Sequence, residues 1–119
     1  MSRVKISFLS LIAFTMLSSG AAYALENGWY HTVDVQPPCG RLSEAVIYVE
    51  GDKLISASVG DASVTVENQK KITATKTKMV FDGSNLHVEA DVSKRKNNLI
   101  DIKILNGANC IGSQVTLSK

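Results

Sequence analysis

From residue 25 onward, apolar and polar side chains alternate with a period of two, and the 3.6-residue period of a helix is nearly absent. The clearest run is Leu86-His87-Val88-Glu89-Ala90-Asp91-Val92. A strand turns successive side chains to opposite faces, so Leu86, Val88, Ala90 and Val92 share one face while His87, Glu89 and Asp91 share the other. LIDIKI repeats the pattern, with Ile100, Ile102 and Ile104 inward and Asp101 and Lys103 outward. Val64 and Val66 continue it, as do Ile111, Val115 and Leu117.

Turn chemistry separates these runs: Glu50-Gly51-Asp52-Lys53, Val59-Gly60-Asp61, Asn68 to Lys71, Ser93 to Asn98 and Asn106 to Asn109. Asp82-Gly83-Ser84-Asn85 is the strongest hairpin signal, because Asp-Gly readily takes positive φ. Eight strands follow, near 28–35, 45–50, 53–59, 62–67, 72–81, 86–92, 99–105 and 111–117. One helical turn fits at Leu42 to Ala45. With one apolar face per strand, the sheet must close on itself or pack on a second sheet. Closure removes exposed edges, so the expectation is an all-β antiparallel meander forming a small closed barrel, with a two-sheet β-sandwich as the alternative. One stretch breaks the pattern. In ITATKTKM, Ile72 and Ala74 share parity with Lys76 and Lys78, which predicts a bulge near Lys76–Lys78 and an interface beside it.

The first 24 residues read as an export signal. Arg3 and Lys5 form a basic start, Ile6 to Leu17 an apolar core too short for a stable membrane anchor, and Ala22-Tyr23-Ala24 an A-x-A cleavage site. No cysteine follows closely for a lipid anchor and no twin arginine precedes the core. Cleavage between Ala24 and Leu25 leaves 119 − 24 = 95 residues, enough for one β domain over 25–119 and no membrane span. The destination is the periplasm or the medium.

Losing the signal also changes the charge. The whole chain carries 13 basic and 11 acidic residues; removing Arg3 and Lys5 leaves 13 − 2 = 11 against 11. A neutral exported chain is not a nucleic-acid binder.

Cys39, in QPPCG, and Cys110, in GANC, are the only cysteines. Two cysteines in an exported chain most simply pair with each other. Two free thiols, a catalytic thiol or a metal site are the alternatives. A metal needs three or four ligands, and only Cys39, Cys110, His31 and His87 are at hand, without CxxC or HxxH spacing. The bond would fasten the end of the first strand to the start of the last, where a barrel closes.

Other chemistry is sparse. Neither His31 nor His87 belongs to a catalytic motif, although His87 and Glu89 fall on one strand face; no catalytic residue, metal or cofactor is expected. Lys94-Arg95-Lys96 is the densest charge run, suited to an acidic partner or an anionic envelope surface. Tyr30 and Tyr48 are candidate aromatic contacts for a partner, and Trp29 reads as a core or rim aromatic.

Gly28-Trp29, a cysteine soon after the first strand, the Gly51-Asp52 and Asp82-Gly83 turns, and Cys110-Ile111-Gly112 before the last strand together resemble short secreted proteobacterial β domains with one disulfide, a group without a settled activity. Gly-Trp at the start of eight strands also resembles the G-x-W of lipocalins, with the intervening residue missing, and so small lipocalin-like barrels that inhibit bacterial proteases or host lysozymes. With no catalytic constellation in the chain, the expectation is a non-enzymatic binding module, monomeric, taking a protein or envelope component as partner through loops or a sheet edge. The alternative is a small apolar-ligand carrier using the barrel interior, an option weakened by the Val and Ile that fill the inward positions.

Overall fold

The computed structural model describes residues 24–37, 39–107 and 109–119. Apart from Ala24, the export segment expected over 1–24 lies outside them. Eight strands run in order: β1 (Gly28–Gln36), β2 (Ala45–Glu50), β3 (Lys53–Val59), β4 (Ala62–Glu67), β5 (Thr77–Gly83), β6 (Leu86–Arg95), β7 (Leu99–Asn106) and β8 (Gln114–Ser118). Each pairs antiparallel with its sequence neighbours, and β1 pairs with β8 to close the barrel. A 3-10 turn at Gly40–Glu44 follows β1.

The alternation builds the core. Val64, Val66, Leu86, Val88, Ala90, Val92, Ile100, Ile102, Ile104, Val115 and Leu117 are all buried, on the faces their parity assigns. Eight strands enclose a bore about wide enough for side chains to fill, and here Tyr30, Leu54, Met79 and Phe81 occupy it with the aliphatics.

Three local readings are corrected. Ile111 is 69 % exposed, because β8 starts only at Gln114 and Ile111 lies in the preceding turn. Asp82 and Gly83 are paired strand residues opposite His87 and Leu86, and Ser84-Asn85 makes that turn. Positive φ is used instead at Gly51 and Asp52, the two-residue loop between β2 and β3. Finally, no bulge rescues ITATKTKM. The strand ends: residues 72–76 leave the sheet and β5 begins at Thr77. Ile72, fully buried, then plugs one end of the bore, held by Ile72 N–H donating to the Asp52 carbonyl (2.6 Å) and Lys94 N–H to the Thr73 carbonyl (2.9 Å). The register shifts fall elsewhere, between Thr32 and Asp34, Tyr48 and Val49, and Glu89 and Ala90.

The two ends of the barrel are closed differently. At the end plugged by Ile72, the segment before β1 folds across the opening. Leu25 N–H donates to Asp52 Oδ1 (2.8 Å), Glu26 N–H to Asn98 Oδ1 (3.0 Å), and Gly51 N–H to Asn27 Oδ1 (2.9 Å). Lys94 Nζ meets Asp52 Oδ2 at 3.2 Å.

At the other end, Cys39 and Cys110 form a disulfide with Cα atoms 6.1 Å apart, joining the segment after β1 to the loop before β8. This bond bears out the pairing expected from the sequence. Gln36 and Gln114 are register partners just inside it, so the staple sits on the closing seam. Ser113 Oγ donates to the Pro37 carbonyl (2.6 Å), and Leu42 of the 3-10 turn packs into the opening. Gly107 is obligatory there: its φ is +103°, and a Cβ would overlap the His87 carbonyl oxygen.

Candidate functional site

Each of the eight strands is paired on both sides, but not along its whole length: Leu54, Ile55 and Ser56 of β3 and Thr77, Lys78 and Met79 of β5 have no register partner on β4. What the barrel offers is its outer wall, its loops and its bore.

The outer wall carries an aromatic pair. Trp29 on β1 and Tyr48 on β2 are register partners, with ring centroids 5.0 Å apart and planes tilted by 53°. Trp29 is 52 % exposed, which leaves the rim and not the core as its place. Tyr48 OH donates to Glu50 Oε2 at 3.3 Å, and the Glu50 charge, followed by this bond, holds the phenol above its ordinary pKa, so it stays protonated. His31 and Val33 are exposed further along β1, and Ser56 lies across from Tyr48 on β3. A tilted aromatic pair on rigid strands presents large apolar area with little conformational entropy left to lose, which suits a contact surface.

Tyr30, next to Trp29 in sequence, faces the other way. It is fully buried opposite Ile47, so it is not available to a partner. Its OH donates to the Glu26 carbonyl at 2.7 Å, with Asn98 Oδ1 at 3.3 Å. Burial first, then the charges of Glu26 and Asp52, raise its pKa and keep it a donor. The signal for this division was in the sequence: two adjacent aromatics on one strand must point to opposite faces. Which one points inward is set by the register with β2.

The basic run is largely spoken for. Lys94 lies in the ion pair with Asp52, the two side chains 13 % and 17 % exposed. Arg95 grips Asp101 with two bonds, Nε to Oδ2 at 2.6 Å and Nη2 to Oδ1 at 3.0 Å, and Thr116 Oγ1 adds a third at 2.8 Å. Burial alone would raise the Asp101 pKa; the bonds from Arg95 and Thr116 and the Arg95 charge outweigh it and lower the carboxyl below its usual value. Lys96 is exposed in the turn after β6. Lys94 thus helps close the end of the barrel plugged by Ile72, while Arg95 ties β6 to β7 at the surface.

The histidines are apart. His87 pairs with Asp82 across β5 and β6 (Nδ1 to Oδ1, 3.3 Å) rather than with Glu89, which instead meets Lys78 Nζ at 3.1 Å. His87 and Asp82 are both more than half exposed, on an open wall rather than in a cleft. Among the described residues, no group of three or more His, Cys, Asp or Glu is placed to hold a metal, and no helix is long and apolar enough to cross a membrane.

The bore opens toward the disulfide end into an apolar cavity of about 50 Å³, bordered by Leu42, Ile47, Val64, Phe81, Leu86 and Ile104. Pockets that enclose drug-sized ligands measure roughly 300–1,000 Å³. Comparison with protein families, with characterised proteins and with solved structures returns no match to this chain.

Proposed function

We propose that this protein is an exported, non-enzymatic binding module, a monomer of the periplasm or the medium that holds a partner protein or envelope component against its outer wall at Trp29 and Tyr48. An inhibitor or envelope accessory role fits this reading and the resemblance to small inhibitory barrels. The observation that carries it is the half-exposed Trp29 packed at a tilt against Tyr48, while Tyr30 beside it is buried. The cleavage site after Ala24 and the disulfide are both compatible with an oxidising compartment. A carrier role is less well supported, since a cavity of about 50 Å³ lacks room for a lipid or dye.

The chain has one tryptophan, so its fluorescence reports on this wall directly. Titration with purified envelope glycans, lipopolysaccharide and soluble proteases or lysozymes is expected to shift Trp29 emission for one class of partner. The double substitution W29A/Y48A should weaken that binding, seen by calorimetry, by at least about tenfold, the loss of a contact-surface anchor. A partner bound equally well by the double variant would overturn the assignment.

A further inference from the structure

The closed end of the barrel holds a carboxylate aimed at a backbone nitrogen that export would convert into a cation. Leu25 is 6 % exposed, its side chain seated in the core, and its nitrogen lies 2.8 Å from Asp52 Oδ1. The second oxygen of Asp52 takes Lys94 Nζ at 3.2 Å. Ala24, the residue before, is exposed. Asp52 is fixed for this task from both sides: it sits in the tight β2–β3 loop at φ +62°, and its carbonyl receives Ile72 N–H.

We propose that cleavage between Ala24 and Leu25 completes this end of the fold by placing the new α-ammonium of Leu25 on Asp52. The proposal rests on the export reading for the cut, and on Leu25, Asp52 and Lys94 for the consequence. Water adds across the Ala24–Leu25 peptide bond under a signal peptidase. Ala24 departs with the new carboxylate, and Leu25 keeps its nitrogen, which takes a proton and becomes the ammonium. Before the cut the same nitrogen offers Asp52 only a neutral amide N–H. Afterward it offers a charged donor at the same position, and charge-assisted bonds are about twice as strong as neutral ones. The two cations occupy separate oxygens of one carboxylate, and Glu26, the next residue, supplies a second negative charge that reaches Lys119 Nζ at 3.4 Å.

The geometry also sets an order of events. Once the barrel has formed, the bond to be cut abuts a buried residue whose nitrogen is engaged. The cut therefore belongs to the extended, translocating chain, and docking of Leu25 follows it. An uncut precursor reaches the same barrel with a weaker latch.

Two measurements test this separately. The intact mass of the exported protein should place its first residue at Leu25; a terminus at any other residue overturns the proposal. The pairing is tested on the exported chain and on the same chain retaining Ala24, each with Asp52 and with Asp52→Asn. Asparagine tolerates positive φ and keeps an acceptor oxygen; both chains lose the Lys94 pair, and only the chain beginning at Leu25 also leaves an ammonium facing Lys94 without the carboxylate between them. Asp52→Asn is expected to lower the folding equilibrium constant about tenfold more in the chain beginning at Leu25 than in the chain retaining Ala24. Equal losses would overturn the ion pair even where the mass confirms the cut. If either chain carrying Asp52→Asn fails to fold, the two parent chains still decide: the chain beginning at Leu25 should unfold at a higher denaturant concentration, and coincident midpoints would overturn the proposal.

Discussion

The two ends of this barrel solve one problem by different physics. A ring of strands must stop water and slippage at both openings. Toward Cys39 and Cys110 the solution is covalent: a disulfide on the β1–β8 seam, a short 3-10 turn with Leu42 as a stopper, and a small apolar cavity left beneath it. Toward Leu25 it is packed and polar: Ile72 and Leu25 fill the bore, and Asp52, Asn98, Tyr30 and Lys94 hold the covering segments by hydrogen bonds and an ion pair. The difference implies different vulnerabilities. One end answers to reductant, the other to loss of apolar volume and of its hydrogen-bond partners.

The largest separation should come from the staple. Replacing Cys39 and Cys110 together with alanine is expected to cost about 4 kcal/mol, read by urea unfolding, because the bond closes a long loop in the unfolded chain. Hydrogen exchange should then rise first around Leu42 and Ser113, leaving Ile72 and Lys94 amides protected. Uniform loss of protection would mean the two ends are not separable. Next is Ile72→Ala, which empties the plug of the other end and should cost about 3 kcal/mol by the usual transfer-plus-cavity reasoning. A cost below about 1 kcal/mol would show that residues 72–76 collapse to fill the gap.

The smallest effect concerns Arg95. The folded pKa of Asp101 is lowered, so its pairing contributes stability above the unfolded carboxylate value and loses it as pH falls through the folded one. The stability difference between Arg95→Leu and the parent should thus be present at neutral pH and shrink below about pH 4. A difference that is constant across this range would assign Arg95 a packing role only.

The fold was largely legible because the period of two is a local property that the barrel simply reads out. β2, β3 and β4 fall where alternation and Gly-Asp turns put them, and the inward faces of β6 and β7 follow parity without exception. Failures cluster where a residue's fate depends on something distant. Ile72 looks like a strand residue, but what recruits it is the open bore and the carbonyl of Asp52, many residues upstream. Ile111 has core parity, yet the β7–β8 loop bends away before β8 begins. The proposed contact surface was half legible: Tyr48 was singled out, but Tyr30, expected outside, is buried beside an exposed Trp29, because alternation says only that the two point apart. Lys94 and Arg95 showed as charge, with nothing local to reveal that Asp52 and Asp101 neutralise them.

Pairing of β1 with β8 means that chain order is not written into the ring. Gly28 and Lys119 are so close that a Cβ on the glycine would touch the lysine side chain. A short linker from β8 to β1, with a new opening at Ser84-Asn85, would keep every strand beside its present neighbours. The molecule should then tolerate being reordered, with β6 first and β5 last, as long as the seam keeps its disulfide.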